Sequence, residues 1–412
     1  MFYDADFYGD FMRRHENARV LMYSHDTFGL GHLRRCREIA HALVERFKGL
    51  QVLIISGSSI AGAFDFRARV DFIKIPSVIK LYNGEYTSLA QHIDLAETLE
   101  MRRAIIRQTA DLYRPNIFIV DKEPLGLRGE LEQTLTMLRE RGTTLVLGLR
   151  EVLDAPEQVK LEWQRTDALR RIEELYDAIW VYGSRNFWDP LNGLEVPVSV
   201  RSRMTFTGHL NRNVPRLNNP RSLDLPDDFI LVTAGGGGDG GPLMRQVLAA
   251  REYDRTLDFP LVMILGPFMV AEEREEIRER ARQLPNVTVL DFESQIETIM
   301  TRASAIVSMG GYNTFCEILS FDKRALLVPR SKPRREQQIR ATRAAELGLV
   351  DTLDSHAASD PRLMARALRR LPTRPLPSER GAGVDLGGLE AIAEMVGIYI
   401  EVAHPLPVAA PA

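Results

Sequence analysis

The sequence has 412 residues, of which 45% are hydrophobic and 26% are charged. This length is too great for one ordinary hydrophobic core and predicts two domains of roughly 200 residues each, and the composition excludes a mainly disordered chain. The 53 basic and 56 acidic side chains leave a net charge of -3, so we expect no nucleic-acid partner.

The amino terminus and the cysteines bear on whether the protein is secreted, membrane-spanning, disulfide-bonded or zinc-binding. Residues 1–10 are aromatic and acidic, unlike a signal peptide, and no run reaches the ~18 apolar residues of a membrane-spanning helix. Cys36 and Cys316 lie far apart, each in a helical pattern, and indicate neither a disulfide nor a zinc site. We therefore expect a cytoplasmic protein, and peripheral contact with a membrane stays open. No metal site and no cofactor are predicted.

Short apolar runs alternate with longer stretches of helical period, which is typical of parallel sheets covered by helices on both faces. The first half has predicted strands at residues 20–24, 52–56, 70–75, 116–121, 144–149 and 178–182. Its clearest helix spans residues 33–47, where apolar side chains recur at spacings of three and four. Arg34, Arg35 and Arg37 fall on the predicted polar face of this helix.

The second half repeats this layout after a break rich in Asn, Pro and Arg. Its predicted strands lie at residues 229–233, 261–265, 287–290, 305–308 and 325–328, and a last helix is predicted at 389–400. The predicted organisation is an N-terminal domain at 1–213, a linker at 214–226, a C-terminal domain at 227–386, and a final helix and tail at 387–412. The predicted fold class is α/β.

A glycine loop follows the first predicted strand of the second domain. It contains Gly235, Gly236, Gly237 and Gly238, and Pro242 then opens a helix. Glycines let backbone amides approach a ligand closely, and a helix N-terminus attracts negative charge, so this loop predicts a phosphate or diphosphate site. A flexible surface turn is the alternative. The pattern matches neither the Walker motif nor a dinucleotide fingerprint.

The first domain has its own loop after its first strand, with Gly29, Gly31 and His32. Cations at the start of a helix oppose its dipole, so the clustered arginines that follow, Arg34 among them, indicate a nearby anion, with solvated surface arginines as the alternative. Imidazole accepts a proton near neutral pH, which makes His32 a candidate base or ligand contact. A structural histidine that caps the turn is the other interpretation.

A third group of residues follows the strand at 305–308. The order is strand, Gly-Gly-x-x-Thr-x-x-Glu, strand, Val-Pro, loop, Glu-Gln, helix, and its candidate donor-binding residues are Gly311, Asn313, Thr314, Glu317, Glu336 and Gln337. A carboxylate reached from a glycine turn can bind the vicinal hydroxyls of a ribose, and the later Glu and Gln can bind other sugar hydroxyls. Ordinary residues of a helix surface are the alternative interpretation of Glu317, Glu336 and Gln337 when each is taken singly.

These motifs resemble the GT-B glycosyltransferases, particularly the family of the bacterial peptidoglycan N-acetylglucosaminyltransferase. The resemblance implies two Rossmann-like domains whose parallel sheets face a central cleft, with the acceptor on the first domain and a nucleotide-sugar on the second. It implies that Glu317 binds the ribose, that Glu336 and Gln337 contact the donor sugar, and that residues 235–241 face the diphosphate. The sequence departs from the family at residues 322–324, where relatives usually have a Gly-Pro turn.

The first-domain loop is also similar to a second group with this fold. Residues 29–36 fit the pattern G-x-G-H-x-x-R-C of the UDP-sugar hydrolase of pseudaminic acid synthesis. Because of this similarity, water remains an alternative to a sugar or lipid hydroxyl as the acceptor.

The resemblance implies a glycosyltransferase that moves a sugar from a nucleotide-diphosphate donor, a UDP-sugar in our interpretation, to an acceptor hydroxyl with inversion and without a metal. His32 is the predicted base and Asp121 the reserve base, which is equally a loop-capping carboxylate. Arg150 or Arg330 is predicted to stabilise the leaving diphosphate. A UDP-sugar hydrolase, a nonhydrolysing UDP-sugar epimerase and a sugar-nucleotide sensor are the alternatives. The acceptor, a small molecule, glycan or lipid-linked, is predicted to contact residues 79–91 and 151–161.

Overall fold

A computed structural model of the chain describes residues 17–26, 30–80, 86–89, 93–214, 224–236, 238–380 and 384–403. Within these residues the chain forms two α/β domains, each built on one parallel sheet. The predicted fold class is therefore confirmed.

The first domain holds a sheet with seven described strands. Its strands are β1 (Arg19–Ser24), β2 (Gln51–Ser56), β3 (Val70–Lys74), β6 (Ile117–Asp121), β7 (Thr144–Arg150), β8 (Ala178–Tyr182) and β9 (Met204–Phe206), while β4 (Val78–Lys80) and β5 (Tyr86–Ser88) form a separate antiparallel pair. The order across the sheet is β3-β2-β1-β6-β7-β8-β9. The chain thus moves outward in one direction from β1 and then in the other from β6.

Helices cover both faces of this sheet. They are α1 (Gly31–Arg46), α2 (Leu95–Tyr113), α3 (Glu132–Glu140), α4 (Pro156–Arg165), α5 (Ala168–Leu175) and α6 (Val198–Arg201). Alternate residues of β1 enter different cores, Val20 and Met22 on one face and Leu21 and Tyr23 on the other. Burial on both faces explains why this strand reads as a continuous apolar run.

The structure of helix α1 differs from the prediction on its polar face. Its apolar stripe is buried as expected, and Cys36 lies within it as a free, buried thiol. Arg35 and Arg37, however, are also buried, so they are not solvated residues of a polar face. Burial of a cation requires a partner, and both guanidiniums contact carboxylates of the protein.

The second domain repeats the topology with six described strands. These are β10 (Ile230–Thr233), β11 (Leu261–Ile264), β12 (Val287–Leu290), β13 (Ala305–Ser308), β14 (Arg324–Leu327) and β15 (Asp351–Thr352), in the order β12-β11-β10-β13-β14-β15. Its helices are α7 (Gly241–Tyr253), α8 (Ala271–Arg282), α9 (Ile296–Arg302), α10 (Tyr312–Ser320), α11 (Glu336–Glu346), α12 (Ser355–Ala358) and α13 (Pro361–Arg370). Buried Cys316 lies on α10 and packs with the core that includes α1.

The chain also returns from the second domain to the first. Helix α14 (Gly388–Ala403) packs its apolar side chains into the core beside α1. The two segments that pass between the domains contact each other: Leu210 and Gly387 form an antiparallel bridge, and the His209 amide donates to the Asp385 carbonyl at 2.7 Å. Among the described residues, no helix has the length and apolar character needed to cross a bilayer.

In parallel sheets of this kind, ligands bind outside the carboxyl ends of the strands where the strand order reverses. In the first domain that point lies between β1 and β6, and in the second between β10 and β13. The loops that follow β1, β6, β10 and β13 all contribute residues to one cavity between the domains.

Candidate functional site

A cavity of about 1020 Å³ lies between the two domains. This volume lies at the upper end of the roughly 300–1,000 Å³ that is usual for ligand pockets. The predicted site residues that line it are Gly31, His32, Arg34, Arg150, Gly235, Gly236, Gly238, Gly311, Asn313, Thr314, Arg330, Glu336 and Gln337. The fold therefore brings together residues from both predicted domains at one place.

Two of the predicted site residues that the structure describes do not line the cavity. Asp121 lies behind His32, with which it forms a hydrogen bond. Glu317 is fully buried and contacts the guanidinium of Arg34. Gly29 and Gly237 lie outside the described residues. From the two loops predicted to contact the acceptor, Ile79, Tyr86, Asp154 and Gln158 line the cavity.

His32 and Asp121 form a pair at the start of α1 and the end of β6. The Nδ1 atom of His32 lies 2.5 Å from Oδ2 of Asp121. Arg35 donates to both oxygens of the same carboxylate, from Nε at 2.8 Å and from Nη2 at 2.6 Å. Since the carboxylate is fixed by Arg35, it holds the imidazole with Nδ1 toward the protein and leaves Nε2 for the cavity.

Burial of this pair favours a neutral imidazole. Burial lowers the pKa of His32, and the nearby Asp121 carboxylate only opposes that effect. Burial resists ionisation of Asp121, but Arg35 and His32 outweigh it and hold the pKa of that carboxyl well below its ordinary value. The arrangement is therefore an ionised carboxylate that orients a proton-accepting imidazole. This combination is suited to general-base catalysis.

Arg34 reaches across the domain boundary. Its Nη2 atom donates to Oε1 of Glu297 at 2.7 Å and to Oε1 of Glu317 at 2.5 Å. The two carboxylates raise the pKa of Arg34 although burial opposes its charge. The arginines at the start of α1 thus have protein carboxylates as partners, which accounts for their clustering without an anionic ligand.

Arg150 differs from those arginines. It ends β7 and lines the cavity, yet no hydrogen bond or ion pair joins its guanidinium to another described residue, and its Nε is buried without a partner. Burial lowers the pKa of Arg150 to about 10. A cation in this position is costly unless an anion compensates it, so Arg150 is the strongest anion-binding candidate on the first-domain wall.

The glycine loop of the second domain is supported from beneath by a neighbouring turn. Gly266 has a φ of +92°, and a Cβ at that position would lie 2.7 Å from the carbonyl oxygen of Gly235. The amide of Phe268 donates to the carbonyl of Gly236 at 3.0 Å. Only a glycine at 266 allows this close approach, which fixes the course of the loop that faces the cavity.

The predicted sugar-binding pair at the start of α11 interacts with Arg330. The guanidinium donates to Oε1 of Glu336 at 2.7 Å and to the carboxylate of Asp239, while the backbone amide of Arg330 donates to Oε1 of Gln337 at 3.3 Å. Arg330 and Arg150 hold the pKa of Glu336 below its ordinary value against the effect of burial. Oε2 of Glu336 is buried and has no partner among the described residues, so it is available to a ligand hydroxyl.

Asn313 connects the two motifs that the sequence singles out. Its Nδ2 atom donates to the carbonyl of Gly31 at 3.0 Å, and its Oδ1 accepts from Arg212 at 2.8 Å. The side chain of Asn313 is therefore already engaged in an interdomain contact. Thr314, beside it on α10, lines the cavity.

The roles of two residues at the site, Arg35 and Glu297, were not predicted from the sequence. Arg35 holds the carboxylate of Asp121. The only indication in the sequence is that Arg35 lies between Leu33 and Cys36, which belong to the buried stripe of α1. Glu297 is a partner of Arg34, but it looks like any acidic residue in the first turn of a helix, where the helix dipole favours acids. Among the described residues no group of three or more His, Cys, Asp or Glu side chains is arranged to hold a metal ion.

Sequence comparison identifies the second domain. Residues 229–376 match the glycosyltransferase family 28 C-terminal domain. No curated protein matches the chain by sequence. The match covers the three glycine-containing and acidic motifs that line the second-domain side of the cavity.

Comparison with solved structures extends over both domains. Medicago truncatula UGT71G1 complexed with UDP-glucose is similar with a TM-score of 0.62 and 13% identity, over 95% of this chain and 100% of that one. The chain has the GT-B fold. Acinetobacter baumannii MurG is similar with a TM-score of 0.56 and 13% identity, over 92% of this chain and 99% of that one. A putative UDP-N-acetylglucosamine 2-epimerase from Listeria monocytogenes is similar with a TM-score of 0.61 and 12% identity, over 96% and 99% of the two chains.

These comparisons confirm the predicted GT-B fold, and they confirm the predicted glycosyltransferase class at the level of the family 28 domain. The same fold also occurs in the putative epimerase, so the fold by itself does not define the reaction. The closer resemblances, to the peptidoglycan enzyme and of residues 29–36 to the hydrolase, stay predictions.

Proposed function

We propose that this protein transfers a sugar from a nucleotide-diphosphate donor, a UDP-sugar, to an acceptor hydroxyl, with inversion at the anomeric carbon and without a metal. The observation that carries the proposal is the oriented pair of His32 and Asp121, whose imidazole lines the same cavity as the glycine loop of the second domain. A nucleotide-binding protein without catalytic activity would not need an imidazole held by an ionised carboxylate at this place.

The proposed donor site lies on the second domain. The backbone amides of Gly235, Gly236 and Gly238 and the start of α10 at Gly311 face the diphosphate. Glu317 binds the ribose, while Glu336 and Gln337 bind hydroxyls of the sugar. Oε2 of Glu317 and Oε2 of Glu336 are buried without partners among the described residues, which supports a role in accepting hydrogen bonds from ligand hydroxyls.

In the proposed reaction, Nε2 of His32 takes the proton of the acceptor hydroxyl as that oxygen forms a bond to the anomeric carbon. The bond from this carbon to the diphosphate oxygen breaks, and its electron pair leaves with the nucleoside diphosphate. Arg150 and the glycine-loop amides stabilise the negative charge that develops on the diphosphate. Attack opposite to the leaving group inverts the anomeric configuration.

A screen of UDP-, dTDP- and GDP-sugars, by calorimetry and by product analysis with and without candidate acceptors, tests this proposal. We expect donor binding, and release of nucleoside diphosphate that depends on an acceptor. Release of free sugar at a rate that acceptors do not change would assign the hydrolase activity indicated by residues 29–36. Conversion to an epimer, or binding without turnover, would assign the epimerase or the sensor.

His32→Ala tests the assignment of the base. We expect turnover to fall by about 10²–10⁴-fold while donor affinity stays near the wild-type value, because general-base catalysis contributes roughly that much. His356→Ala is the matched control, since His356 is exposed and does not line the cavity. Full activity of the His32 variant would reject His32 as the base.

A further inference from the structure

Arg34 holds two acidic residues of the opposite domain at once. Its Nη2 atom lies 2.7 Å from Glu297 and 2.5 Å from Glu317, and these carboxylates are only 2% and 0% exposed. Arg34 also lines the cavity, whereas Glu317 does not. The guanidinium therefore stands between the cavity and the proposed ribose-binding carboxylate.

One guanidinium does not satisfy two carboxylates. The Oε2 atoms of Glu297 and Glu317 are both buried without a hydrogen-bond partner among the described residues. Burial, together with the neighbouring Glu297, raises the pKa of Glu317, and Arg34 only opposes this rise. The pair of carboxylates can accept further hydrogen bonds, and the two vicinal hydroxyls of a ribose are donors of the right kind.

We infer that Arg34 determines donor affinity by competing with the ribose hydroxyls for Glu317. The inference rests on the proposed function, because it takes Glu317 as the ribose ligand. Donor binding exchanges the guanidinium for the ribose diol, and the displaced Arg34 belongs to the same helical segment as His32. Occupation of the donor site is in this way linked to the first-domain wall that carries the base.

Removal of a cation from a nucleotide site is ordinarily expected to weaken nucleotide binding, whereas removal of Arg34 is here expected to strengthen it. If Arg34 contacted the diphosphate, its removal would weaken the binding of every nucleoside diphosphate. If Arg34 competes for Glu317, its removal frees the carboxylate and strengthens binding, and the gain depends on the ribose hydroxyls.

The test uses Arg34→Met, which keeps much of the aliphatic stem and removes the charge. Arg37→Met is the matched control, because Arg37 also lies on α1 but pairs with Glu38 at 3.0 Å and forms no ion pair with Glu317 in the described structure. Calorimetry measures the affinities of UDP and 2′-deoxy-UDP for the wild type, both variants, Glu317→Gln and the Arg34→Met/Glu317→Gln double variant. Circular dichroism verifies the fold, and Arg34→Gln replaces Arg34→Met if the latter does not fold.

We expect Arg34→Met to bind UDP at least about fivefold more tightly, the lower end of typical coupling between sites, and to raise the preference for UDP over 2′-deoxy-UDP. Arg37→Met should not change that preference, and Arg34→Met should have no such effect in the Glu317→Gln background. Weaker or unchanged UDP binding by Arg34→Met, with an unchanged preference, would overturn the inference alone. Failure of the wild type to bind UDP or any other nucleoside diphosphate would reject the proposed function itself.

Discussion

At the scale of single residues, His32 and Asp121 have different roles in the proposed proton transfer. The imidazole accepts the proton, and the carboxylate fixes its orientation through Nδ1. Arg35 in turn fixes the carboxylate with two hydrogen bonds. Because three side chains determine one proton-accepting atom, substitution of the buried carboxylate changes catalysis without removing a contact to the donor.

The substitution Asp121→Asn tests these roles through the pH dependence of kcat. A base must be neutral, and burial lowers the pKa of His32, so wild-type activity should fall only as the pH drops below the ordinary histidine value of about 6.5. Asp121 opposes this lowering, so its neutralisation should move the acidic limb of the kcat profile to still lower pH. At the plateau, loss of orientation should reduce kcat by about 10²–10⁴-fold.

The profile of kcat against pH, measured with a saturating donor, checks this prediction. Asp111→Asn serves as the control, because Asp111 pairs with Arg141 on the surface of the first domain and does not line the cavity. An acidic limb that moves to higher pH in the Asp121 variant would contradict the assigned roles.

Arg150 illustrates how a functional residue can cost stability. Its buried Nε has no partner among the described residues, so Arg150→Met should raise the free energy of unfolding by about 1 kcal/mol, as often happens when a strained functional group is removed. The same change should weaken UDP binding roughly tenfold, because it removes one charge-assisted contact to the diphosphate. Urea denaturation and calorimetry measure the two effects, and a variant that loses stability and keeps its UDP affinity would show that Arg150 has a structural role.

At the scale of elements, the glycine loop of the second domain depends on the turn below it. A Cβ on Gly266 would press on the carbonyl oxygen of Gly235, and the positive φ adds strain to any side chain there. Gly266→Ala should therefore destabilise the protein by about 1–3 kcal/mol and should also reduce UDP affinity, since the loop must shift.

Gly142→Ala separates these two causes. Gly142 also has a positive φ, of +78°, but a Cβ there would meet nothing within 4 Å. It should lower the melting temperature through backbone strain and leave UDP affinity unchanged. Equal losses of UDP affinity in both glycine variants would show that the contact with Gly235 does not shape the loop.

The strands were the most predictable elements. All eleven predicted strands are present, each within one residue of its predicted ends, because strands buried on both faces leave continuous apolar runs between turn residues. The missed strands, β4, β5, β9 and β15, have only two or three residues each, which is too short for a pattern to emerge. The loops at the carboxyl ends of the strands followed from the same reasoning, and most of the predicted site residues line the cavity.

The pairing of side chains could not be predicted in this way. Arg34 and Glu317 are separated by 283 positions, and Arg35 and Asp121 by 86. Sequence position shows that a cation lies near the site, but the three-dimensional arrangement decides which carboxylate it contacts. For this reason the arginines of α1 predicted a bound anion although protein carboxylates are their partners, whereas the buried Nε of Arg150 has no partner among the described residues.

At the scale of the whole molecule, buried polar contacts join the two domains around the cavity. Nε of Arg340 on α11 donates to Oε1 of Glu151, the residue after β7, at 2.5 Å, and both side chains are fully buried. Arg340 also donates to the carbonyl of Gly310 at 3.1 Å and lies over the ring of Tyr312. This one guanidinium thus connects the first domain to the glycine turn before α10.

Removal of one member of this pair should leave an uncompensated charge in the interior. Arg340→Met should lower the free energy of unfolding by about 3–5 kcal/mol, the usual cost of a buried pair broken on one side. The Glu151→Met/Arg340→Met double variant should lose less than Arg340→Met alone, because both charges are then absent. Urea denaturation measures both variants, and Arg282→Met, which breaks an exposed pair with Glu279, is the control and should change stability little. A double variant that is less stable than Arg340→Met would mean that Glu151 stabilises the protein through contacts other than this ion pair.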